Sequence, residues 1–255
     1  MAIGNVTPDS FYAGSRLADE TQITAWARQA LSDGADLLDI GGCSTRPNAP
    51  FATAEEEWQR VEPALDALRR EVPEAQLSLD TFRPEIARRA LQQFGPMIIN
   101  DVSGGCEEMY ALIREWQVPY VFTCCQTGVN ETLTRQLRDI HELILDPGFG
   151  FLGGVAQDYE RLRQLDEFRQ YGRPILVGLS RKSMIYKPLG LTPETSLIPT
   201  QALHLYALEH GATILRVHDV KEAAQTVTLY ERLTNYLTVS PLNGETLDGR
   251  GTNSK

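Results

Sequence analysis

Polar side chains stand at one recurring place in this sequence, directly after short apolar runs that are typical of β-strands. Any single Asp or Asn at such a place is explained at least as well by capping of the helix or turn that follows. Seven equivalent positions favour a shared ligand site instead, because the carboxyl ends of parallel barrel strands converge on one rim. The seven residues are Asn5, Asp39, Asp80, Asn100, Asp146, Ser180 and Arg216.

The residue types in this set indicate the chemistry of the ligand. The carboxylates and the amide of Asp80, Asn100 and Asp146 provide acceptors and a donor that suit the edge of a flat heterocycle. The segment "SRKS" (180–183) adds a lysine, and "RVHD" (216–219) adds an arginine and a histidine. We therefore expect these cations to bind an anionic leaving group while the carboxylates hold a ring.

The loop "LILDPGFGFLGG" (143–154) is expected to hold a ring rather than a phosphate. Glycine-rich turns after strands often bind phosphate on their backbone N–H groups. Here the first polar residue after the strand is Asp146, whose charge would repel a phosphate. The loops "NVTPDSF" (5–11) and "GGCSTRPNAP" (41–50) are rich in Pro, Gly, Ser and Thr, which is typical of mobile loops over active sites.

Eight short apolar runs must position these residues, and helical patterns lie between most of them. Trp58, Val61 and Leu65 recur at helical spacing, and Pro84 suits the first turn of another helix. Short strands that alternate with helices indicate βαβ units and a parallel sheet. Eight such units predict an α/β fold, a single (β/α)8 TIM barrel over residues 1–236, with a doubly wound open sheet as the alternative. The predicted strand runs are "MAIGN", "LLDI", "LSLD", "MIIND", "PYVFT", "LILD", "ILVGLS" and "ILRVHD".

Composition argues against several other classes of protein. The net charge of −10 disfavours nonspecific nucleic-acid binding, which needs a basic face. No apolar run approaches the roughly 20 residues needed to span a bilayer, and no signal-peptide pattern is present, so the cytosol is the expected compartment. The four cysteines lack C-x-x-C spacing, which disfavours zinc and predicts reduced, buried or half-buried thiols.

Several other segments are expected to have structural roles only. The acidic run Glu55–Glu57 is expected to begin a helix and otherwise to face solvent. His141 and His204 lie in helical patterns, where surface or packing roles are commoner than ligand roles. The polar, Gly-rich stretch 237–255 is expected to be a disordered tail.

Seven motifs, which occur in the same order as in that family, make the sequence resemble the dihydropteroate synthases, the folate-pathway enzymes that sulfonamides target. Any one motif alone is weak, whereas seven in order over residues 1–236 are specific. The resemblance implies a barrel enzyme that joins dihydropterin pyrophosphate to p-aminobenzoate, releasing pyrophosphate and giving dihydropteroate. It also implies a homodimer, by analogy alone. The motifs are "NVTPDSF", "DIGGCSTRPNA", "LSLDT", "INDVSGG", "ILDPGFGF", "GLSRKSMI" and "ILRVHDV".

The resemblance implies how the pterin is held. Asp80, Asn100 and Asp146 would hydrogen-bond its edge. Lys182 would reach its carbonyl and ring nitrogen, and Arg216 would stack on its face. Carboxylates suit this task because an aminopyrimidinone presents adjacent N–H donors that one carboxylate accepts in bidentate fashion. The implied catalytic residues are Lys182, Asp80, Asp146 and Arg216.

The same resemblance places the leaving group and the second substrate. Asn5, Arg46 and His218 would hold the pyrophosphate together with Mg²⁺, for which an amide oxygen of Asn5 is a suitable hard ligand. No protein nucleophile is needed, because similar enzymes ionise the pterin–pyrophosphate bond first and the arylamine then attacks the stabilised cation. Phe11, Thr45, Pro47, Phe151 and Ser183 would frame the p-aminobenzoate pocket, and Val102, Thr123 and Gly178 complete the predicted substrate-binding set.

The sequence also departs from the family at several positions. Gly153 and Gly154 stand where Lys and Thr are expected, and Thr123 replaces a Met that normally packs against the pterin. The fifth β/α unit is shortened, so that "ETLTRQLRDIHEL" (131–143) supplies about three helical turns at 3.6 residues per turn. These departures keep a non-catalytic pterin-binding paralogue open as the alternative function. A pterin-dependent methyltransferase domain is less favoured, because "SRKS" and "STRP" would serve the arylamine and the pyrophosphate.

Overall fold

The apolar runs of the sequence form strands that pair in parallel, in the order of the chain. The computed structural model describes residues 1–7, 19–43, 52–124, 135–151 and 153–235. Six strands form one sheet and the last two form a second, parallel pair. They are β1 (Ala2–Asn5), β2 (Leu37–Gly41), β3 (Gln76–Asp80), β4 (Ile98–Asp101), β5 (Tyr120–Thr123), β6 (Leu143–Asp146), β7 (Leu176–Val177) and β8 (Ile214–Leu215).

Two isolated bridges join the β7–β8 pair to both edges of the larger sheet. One links Leu145 to Ile175 and the other links Ala2 to Val217. At the second bridge the N–H of Ile3 donates to the carbonyl of Val217 over 3.0 Å. The eight strands therefore close into a barrel, which confirms the predicted (β/α)8 fold over the open sheet. The runs "ILVGLS" and "ILRVHD" were predicted as full strands, but each contributes only two residues of regular strand.

Helices follow most strands and begin where the sequence supplies a cap or a proline. Thr53 and Glu56 form a reciprocal capping box at the start of the second helix, and Pro84 opens the third. The helices are α1 (Glu20–Ser32), α2 (Ala54–Glu71), α3 (Pro84–Phe94), α4 (Glu107–Trp116), α5 (Val155–Arg163), α6 (Ser183–Tyr186), α7 (Leu197–Glu209) and α8 (Val220–Asn235), with 3-10 turns at Leu165–Tyr171 and Lys187–Leu189. Among the described residues, no helix is long and apolar enough to cross a bilayer.

The fifth β/α unit differs from its prediction. Residues 136–142, which were expected to continue a helix almost to β6, form turns instead, so His141 is exposed on a turn rather than on a helix. Leu137 and Ile140 from this segment are buried in the main core, where they cover the barrel without a helical turn. The first part of the predicted helix, residues 131–134, lies outside the described residues, as does the predicted tail, 237–255.

The interior of the barrel changes from apolar to polar along its axis. One end is filled by an apolar layer of Met1, Ile98, Val121, Ile144 and Leu176, against which Leu37 and Ile214 pack. Residues two positions further along a strand point to the same side. The next interior layer is therefore polar in large part, and it consists of Ile3, Asp39, Asn100, Thr123, Asp146, Gly178 and Arg216.

Two predictions about individual side chains need correction. Glu57, expected to face solvent, is fully buried in α2, where it pairs with Arg83 and accepts a hydrogen bond of 2.6 Å from the Thr81 hydroxyl. The thiols were predicted to be buried or half-buried. Cys124 and Cys43 follow that prediction, but Cys106 is exposed before α4. The burial of His204 in α7 agrees with the packing role expected for it.

Candidate active site

The register of the strands brings several predicted site residues to one level of the barrel. Asn5 pairs with Gly41, Gly41 with Asp80, and Asp80 with Asn100. On the other side Thr123 of β5 pairs with Asp146 of β6. These residues lie toward the carboxyl ends of the strands, which is the end where barrel active sites are built.

Asp39 was predicted to lie at the end of its strand, but it lies deeper in the barrel. It pairs with Ile3 and with Ser78, one residue pair below the level of Asp80. Its side chain is fully buried, and it accepts hydrogen bonds from Ser78 Oγ at 2.5 Å and from Asn100 Nδ2 at 3.1 Å. Asp39 therefore supports the site from beneath, with no exposed surface for a ligand.

Arg216 connects the buried carboxylate of Asp39 to Asp80, one of the predicted pterin-binding residues. Its Nε donates to Asp39 Oδ2 over 2.7 Å, and its Nη2 donates to Asp80 Oδ2 over 2.6 Å. Burial opposes the charge of the guanidinium, but the two carboxylates outweigh it and raise the pKa of Arg216. Each buried charge thus has a partner, and the planar guanidinium is fixed in the barrel.

The two predicted pterin-binding carboxyls are less acidic than ordinary ones. Burial raises the pKa of Asp80 to about 7, although Arg216 opposes the change. Burial also raises the pKa of Asp146, which the charge of Lys182 partly offsets. One Asp146 oxygen accepts the N–H of Gly148 at 2.8 Å. A ligand that donates N–H hydrogen bonds to these carboxyls therefore stabilises their ionised form.

Lys182 lies beside the loop that follows β6. Its ammonium donates to the carbonyl of Phe149, and its Nζ is 4.6 Å from the centre of the Phe151 ring, at cation–π distance. Burial lowers the pKa of Lys182 to about 8, with Asp146 as the main opposing influence. Gly178 lies next to this lysine, since a Cβ added to it would be 3.7 Å from Nζ, an ordinary van der Waals distance.

Arg181, which sequence reasoning missed, fixes the backbone next to Lys182. Its φ of 55° is in the left-handed region, which is unusual for a residue with a side chain. The buried guanidinium makes two hydrogen bonds to Asp219, of 2.8 and 2.7 Å, and others to the carbonyls of Pro193 and Glu194. The only signal in the sequence is an Arg inside "SRKS" with an Asp at the end of "RVHD", and neither residue type indicates which pairs form.

His218 has a different charge from the one expected. The sequence suggested a cation for an anionic leaving group, but burial lowers its pKa to about 3, with Arg216 adding to the effect. The imidazole is therefore neutral at pH 7. Its backbone N–H donates to Ser180 Oγ over 3.2 Å, which joins the ends of the β7 and β8 segments near Ser183, the first residue of α6.

Two buried polar atoms in the barrel have no hydrogen-bond partner within the described part of the chain. They are Asn100 Oδ1 and Thr123 Oγ1. Val102, also in the predicted set, is half-buried in the loop after β4. Asp101 shapes that loop by accepting the N–H of Ser103 at 2.8 Å. The β4–β5 side of the site thus has an acceptor and a hydroxyl that no described residue uses.

Only part of each of the two long loops lies within the described residues. Phe11, Thr45, Arg46 and Pro47 lie outside the described residues. The start of the second loop is fixed, because Arg60 of α2 donates to the carbonyl of Gly42 over 3.0 Å. A Cβ at Gly42 would meet Val61 at 2.6 Å, so only glycine allows this approach of loop and helix.

Comparison with known proteins identifies the family to which the sequence is similar. The model of the family described as pterin binding enzyme matches residues 1–141 and 131–218. The two matches meet in the fifth β/α unit, where the sequence departs from the pattern. The dihydropteroate synthase of Streptococcus pyogenes serotype M3 is 36% identical over 253 residues, which is 91% of this chain and 94% of the relative. That of Escherichia coli K12 is 32% identical over 264 residues, covering 91% and 90%.

Solved structures of dihydropteroate synthases share the fold of this chain. A Yersinia pestis dihydropteroate synthase with a sulfonamide drug superposes with a TM-score of 0.84 at 31% identity, over 92% of this chain and 93% of that one. A Xanthomonas albilineans dihydropteroate synthase with 4-aminobenzoic acid gives 0.81 at 34% identity, over 91% and 92%. The matches confirm the resemblance on which the predicted activity rests.

Proposed function

The chain belongs to the pterin binding enzyme family, and we propose that it is a dihydropteroate synthase that joins dihydropterin pyrophosphate to p-aminobenzoate. The observation that carries this proposal is the polar layer of the barrel, which contains Asn100, Asp146 and Arg216, with Asp80 and Lys182 beside it. This layer offers carboxyl and amide acceptors to the N–H groups of a pterin edge. Lys182 lies close enough to the Asp146 carboxyl to offset part of the rise that burial causes in the pKa of Asp146.

The proposed reaction needs binding and charge stabilisation but no protein nucleophile. The bond between the pterin methylene carbon and the pyrophosphate oxygen breaks, and the electron pair leaves with pyrophosphate. The arylamine nitrogen then forms the new bond to that carbon and loses a proton to solvent. Asp80 and Asp146 hold the ring whose cation forms, and their ionised state is favoured as positive charge develops beside them.

Asn100 and Lys182 have complementary roles in this arrangement. Asn100 uses its Nδ2 on Asp39, so its Oδ1 remains to accept a pterin N–H. Lys182 supplies N–H donors to the ring carbonyl and ring nitrogen. Arg216 keeps its two carboxylate partners and presents the flat face of its guanidinium for stacking. The neutral His218 acts toward pyrophosphate as a hydrogen-bonding group rather than as a charge.

We include Mg²⁺ in the proposal as an ion that arrives with the pyrophosphate. Asn5 ends β1 at the rim of the barrel and offers one hard amide oxygen. The described residues contain no group of three or more His, Cys, Asp or Glu that would form a complete cage. A single protein ligand suits Mg²⁺, which usually keeps waters and phosphate oxygens. The ion would supply positive charge to the departing pyrophosphate, and Asn5→Leu should raise the Mg²⁺ concentration needed for half-maximal activity.

A coupled assay of pyrophosphate release tests the proposed function. Wild-type protein should release pyrophosphate from dihydropterin pyrophosphate only when p-aminobenzoate is added. Lys182→Ala should lose at least about 100-fold in rate, because a positioned donor to the developing charge is removed. The matched control is Lys187→Ala, an exposed lysine in the 3-10 turn after α6, which should keep the wild-type rate.

Two other results would favour the alternatives. Tight pterin binding without any pyrophosphate release would indicate the non-catalytic paralogue and contradict the proposed activity. Methyl transfer from a methylated pterin would indicate the methyltransferase. We favour neither, since "SRKS" and "STRP" would serve the arylamine and the pyrophosphate, which only the proposed reaction uses.

We also propose that two copies of the chain associate through α7 and α8. These helices pack against each other and expose three large apolar side chains, Ile198 at 83%, Leu229 at 62% and Leu233 at 66%. Leu229 and Leu233 are one helical turn apart and share a face of α8. Apolar side chains grouped in this way are typical of protein interfaces, and a second copy offers the same face by symmetry.

Sedimentation velocity tests the dimer. The wild-type chain should sediment as a dimer at micromolar concentration, and the double variant Leu229→Glu/Leu233→Glu should sediment as a monomer. Gln92→Glu adds a charge at an exposed position of α3 and should leave the dimer intact. A monomeric wild-type chain would contradict the proposal. The cytosolic location expected from the sequence stays a prediction.

A further inference from the structure

The loop after β6 is held by three side chains, one of which lies outside the predicted site. Asp146 accepts the N–H of Gly148 at 2.8 Å, and Lys182 donates to the carbonyl of Phe149. The third contact is made by Asp158, which accepts the N–H of Gly150 at 3.0 Å. Consecutive residues of this loop are thus tied to two groups that would touch the pterin and to one that would not.

Asp158 is built into the fold rather than placed at the surface. It lies in the first turn of α5 with 2% of its surface exposed, where a negative charge is favoured by the helix dipole. The oxygen that accepts from Gly150 also accepts from Arg161 Nη1 at 3.0 Å. A buried carboxylate with these partners has a defined position.

Gly150 is in direct contact with the side chain of Lys182. A Cβ added to Gly150 would lie 2.9 Å from Lys182 Cδ, and its φ of 78° is strained for any other residue. A shift of Gly150 would therefore displace the aliphatic part of the lysine. It would also move the neighbouring Phe149 carbonyl, which holds the ammonium.

We propose that Asp158 is a positioning residue of the reaction, which holds the Gly150 turn against Lys182 and contributes negative charge near the ammonium. The inference rests on the proposed function, since it concerns the lysine that would contact the pterin. Asp158 acts through Gly150 and Lys182, and it makes no contact with substrate.

Four charged groups act on Lys182 from the elements that pack around it. Asp146 of β6, Asp158 of α5 and Asp80 of β3 raise the pKa of the ammonium, whereas Arg216 lowers it. Burial outweighs them and brings the pKa of Lys182 to about 8. Removing the charge of Asp158 therefore lowers this pKa further, so the protonated lysine is lost at a lower pH.

The test compares pH profiles of kcat/KM for dihydropterin pyrophosphate at saturating p-aminobenzoate. Asp158→Asn keeps an oxygen that can accept from Gly150 but removes the charge. Its alkaline limb should move to lower pH, so that activity falls about 3-fold or more at pH 8.5 and much less at pH 6.5. Asp158→Ala also removes the hydrogen bond and should lose activity at both pH values. A role in folding alone would not move the alkaline limb.

Arg161→Gln provides the matched variant with the opposite expectation. It removes the cation that shares the Asp158 oxygen, so the carboxylate acts more strongly on Lys182 and the alkaline limb should move to higher pH. This variant also keeps the proposal falsifiable if Asp158→Asn does not fold. Profiles that superimpose with wild type, or shifts of reversed sign, would overturn the role of Asp158. Absence of turnover in the wild-type protein would contradict the proposed function itself.

Discussion

The two cations of the site, Arg216 within the polar layer and Lys182 beside it, are held in different ways. Arg216 lies between the carboxylates of Asp39 on β2 and Asp80 on β3, which together form the β2–β3 wall of the site. These carboxylates raise the pKa of Arg216, so its charge is permanent. Lys182 lies on the β6–β7 side against a carbonyl and an aromatic ring, and its pKa is about 8. The arginine therefore belongs to the scaffold of the site, whereas the lysine can change protonation near pH 8.

The largest expected effect separates these two roles. Arg216→Met leaves Asp39 and Asp80 buried without their cation, which should lower the free energy of unfolding by about 3–5 kcal/mol. Lys182→Met removes a half-buried charge whose hydrogen bond is to a backbone carbonyl, so the free energy of unfolding should change little while activity is lost. Urea unfolding of the two variants measures the difference. Equal destabilisation by both substitutions would contradict the distinction between scaffold and adjustable cation.

The second prediction concerns Asp146, the carboxyl whose charge acts most strongly on Lys182. Asp146→Asn replaces one acceptor by a donor that faces a pterin N–H, so pterin affinity should fall by about 10- to 100-fold. Folding should be less affected, because the remaining amide oxygen can still accept the N–H of Gly148. Calorimetric titration with a pterin measures the affinity. An unchanged dissociation constant would mean that Asp146 does not face the ring.

The sequence predicts the position of a site residue when that position depends on the strand itself, and fails when it depends on a neighbouring element. The strand-end positions of Asn100 and Asp146 follow from the period of two, because Ile98 and Ile144, two positions earlier, pack in the barrel. The depth of Asp39 does not follow, since it depends on how far each strand extends beyond its neighbour. The sequence shows an acid after "LL" and contains no signal of the pairing with Ser78.

The charge states of buried side chains and the contacts between helices and loops are harder to predict from the sequence. Glu57 lies in an acidic run that looks exposed, and only the packing of α2 against the loop after β3 buries it beside Arg83. The neutrality of His218 likewise comes from burial and the nearby Arg216. Asp158 is in an ordinary polar helix start, and its role appears only when α5 is docked on the β6 loop.

The third prediction uses pH to test the β2–β3 wall. The folded-state pKa of Asp80, about 7, exceeds its ordinary value of 3.8, so the folded protein binds this proton more tightly than the unfolded chain. The contribution of Asp80 to stability is therefore fully present below pH 4 and is lost as the pH rises to 7. The slope is at most about 1.4 kcal/mol per pH unit for one proton.

Asp80→Asn should flatten this part of the stability profile, because the amide does not titrate and its oxygen can still accept from Arg216. Thermal or urea unfolding at several pH values between 4 and 7 gives the slope for each protein. The comparison with Asp146→Asn shows which of the two carboxyls contributes more to it. A wild-type slope that persists unchanged in Asp80→Asn would show that the proton belongs to another buried carboxyl.

The smallest expected effect is at Thr123, where the β5 side of the layer contains a buried hydroxyl with no partner among the described residues. An unsatisfied buried hydroxyl costs free energy, so Thr123→Val, which keeps the shape, should raise the free energy of unfolding by about 0.5–1 kcal/mol. Thr123→Ser keeps the hydroxyl, loses a methyl group and should be less stable than wild type. If the valine variant also binds the pterin more weakly, then the hydroxyl contacts the ligand, and this side of the barrel is incomplete until substrate arrives. A valine variant less stable than wild type would instead mean that the hydroxyl already has a partner in the folded protein, and the contrast with the fully paired Arg216 wall would fail.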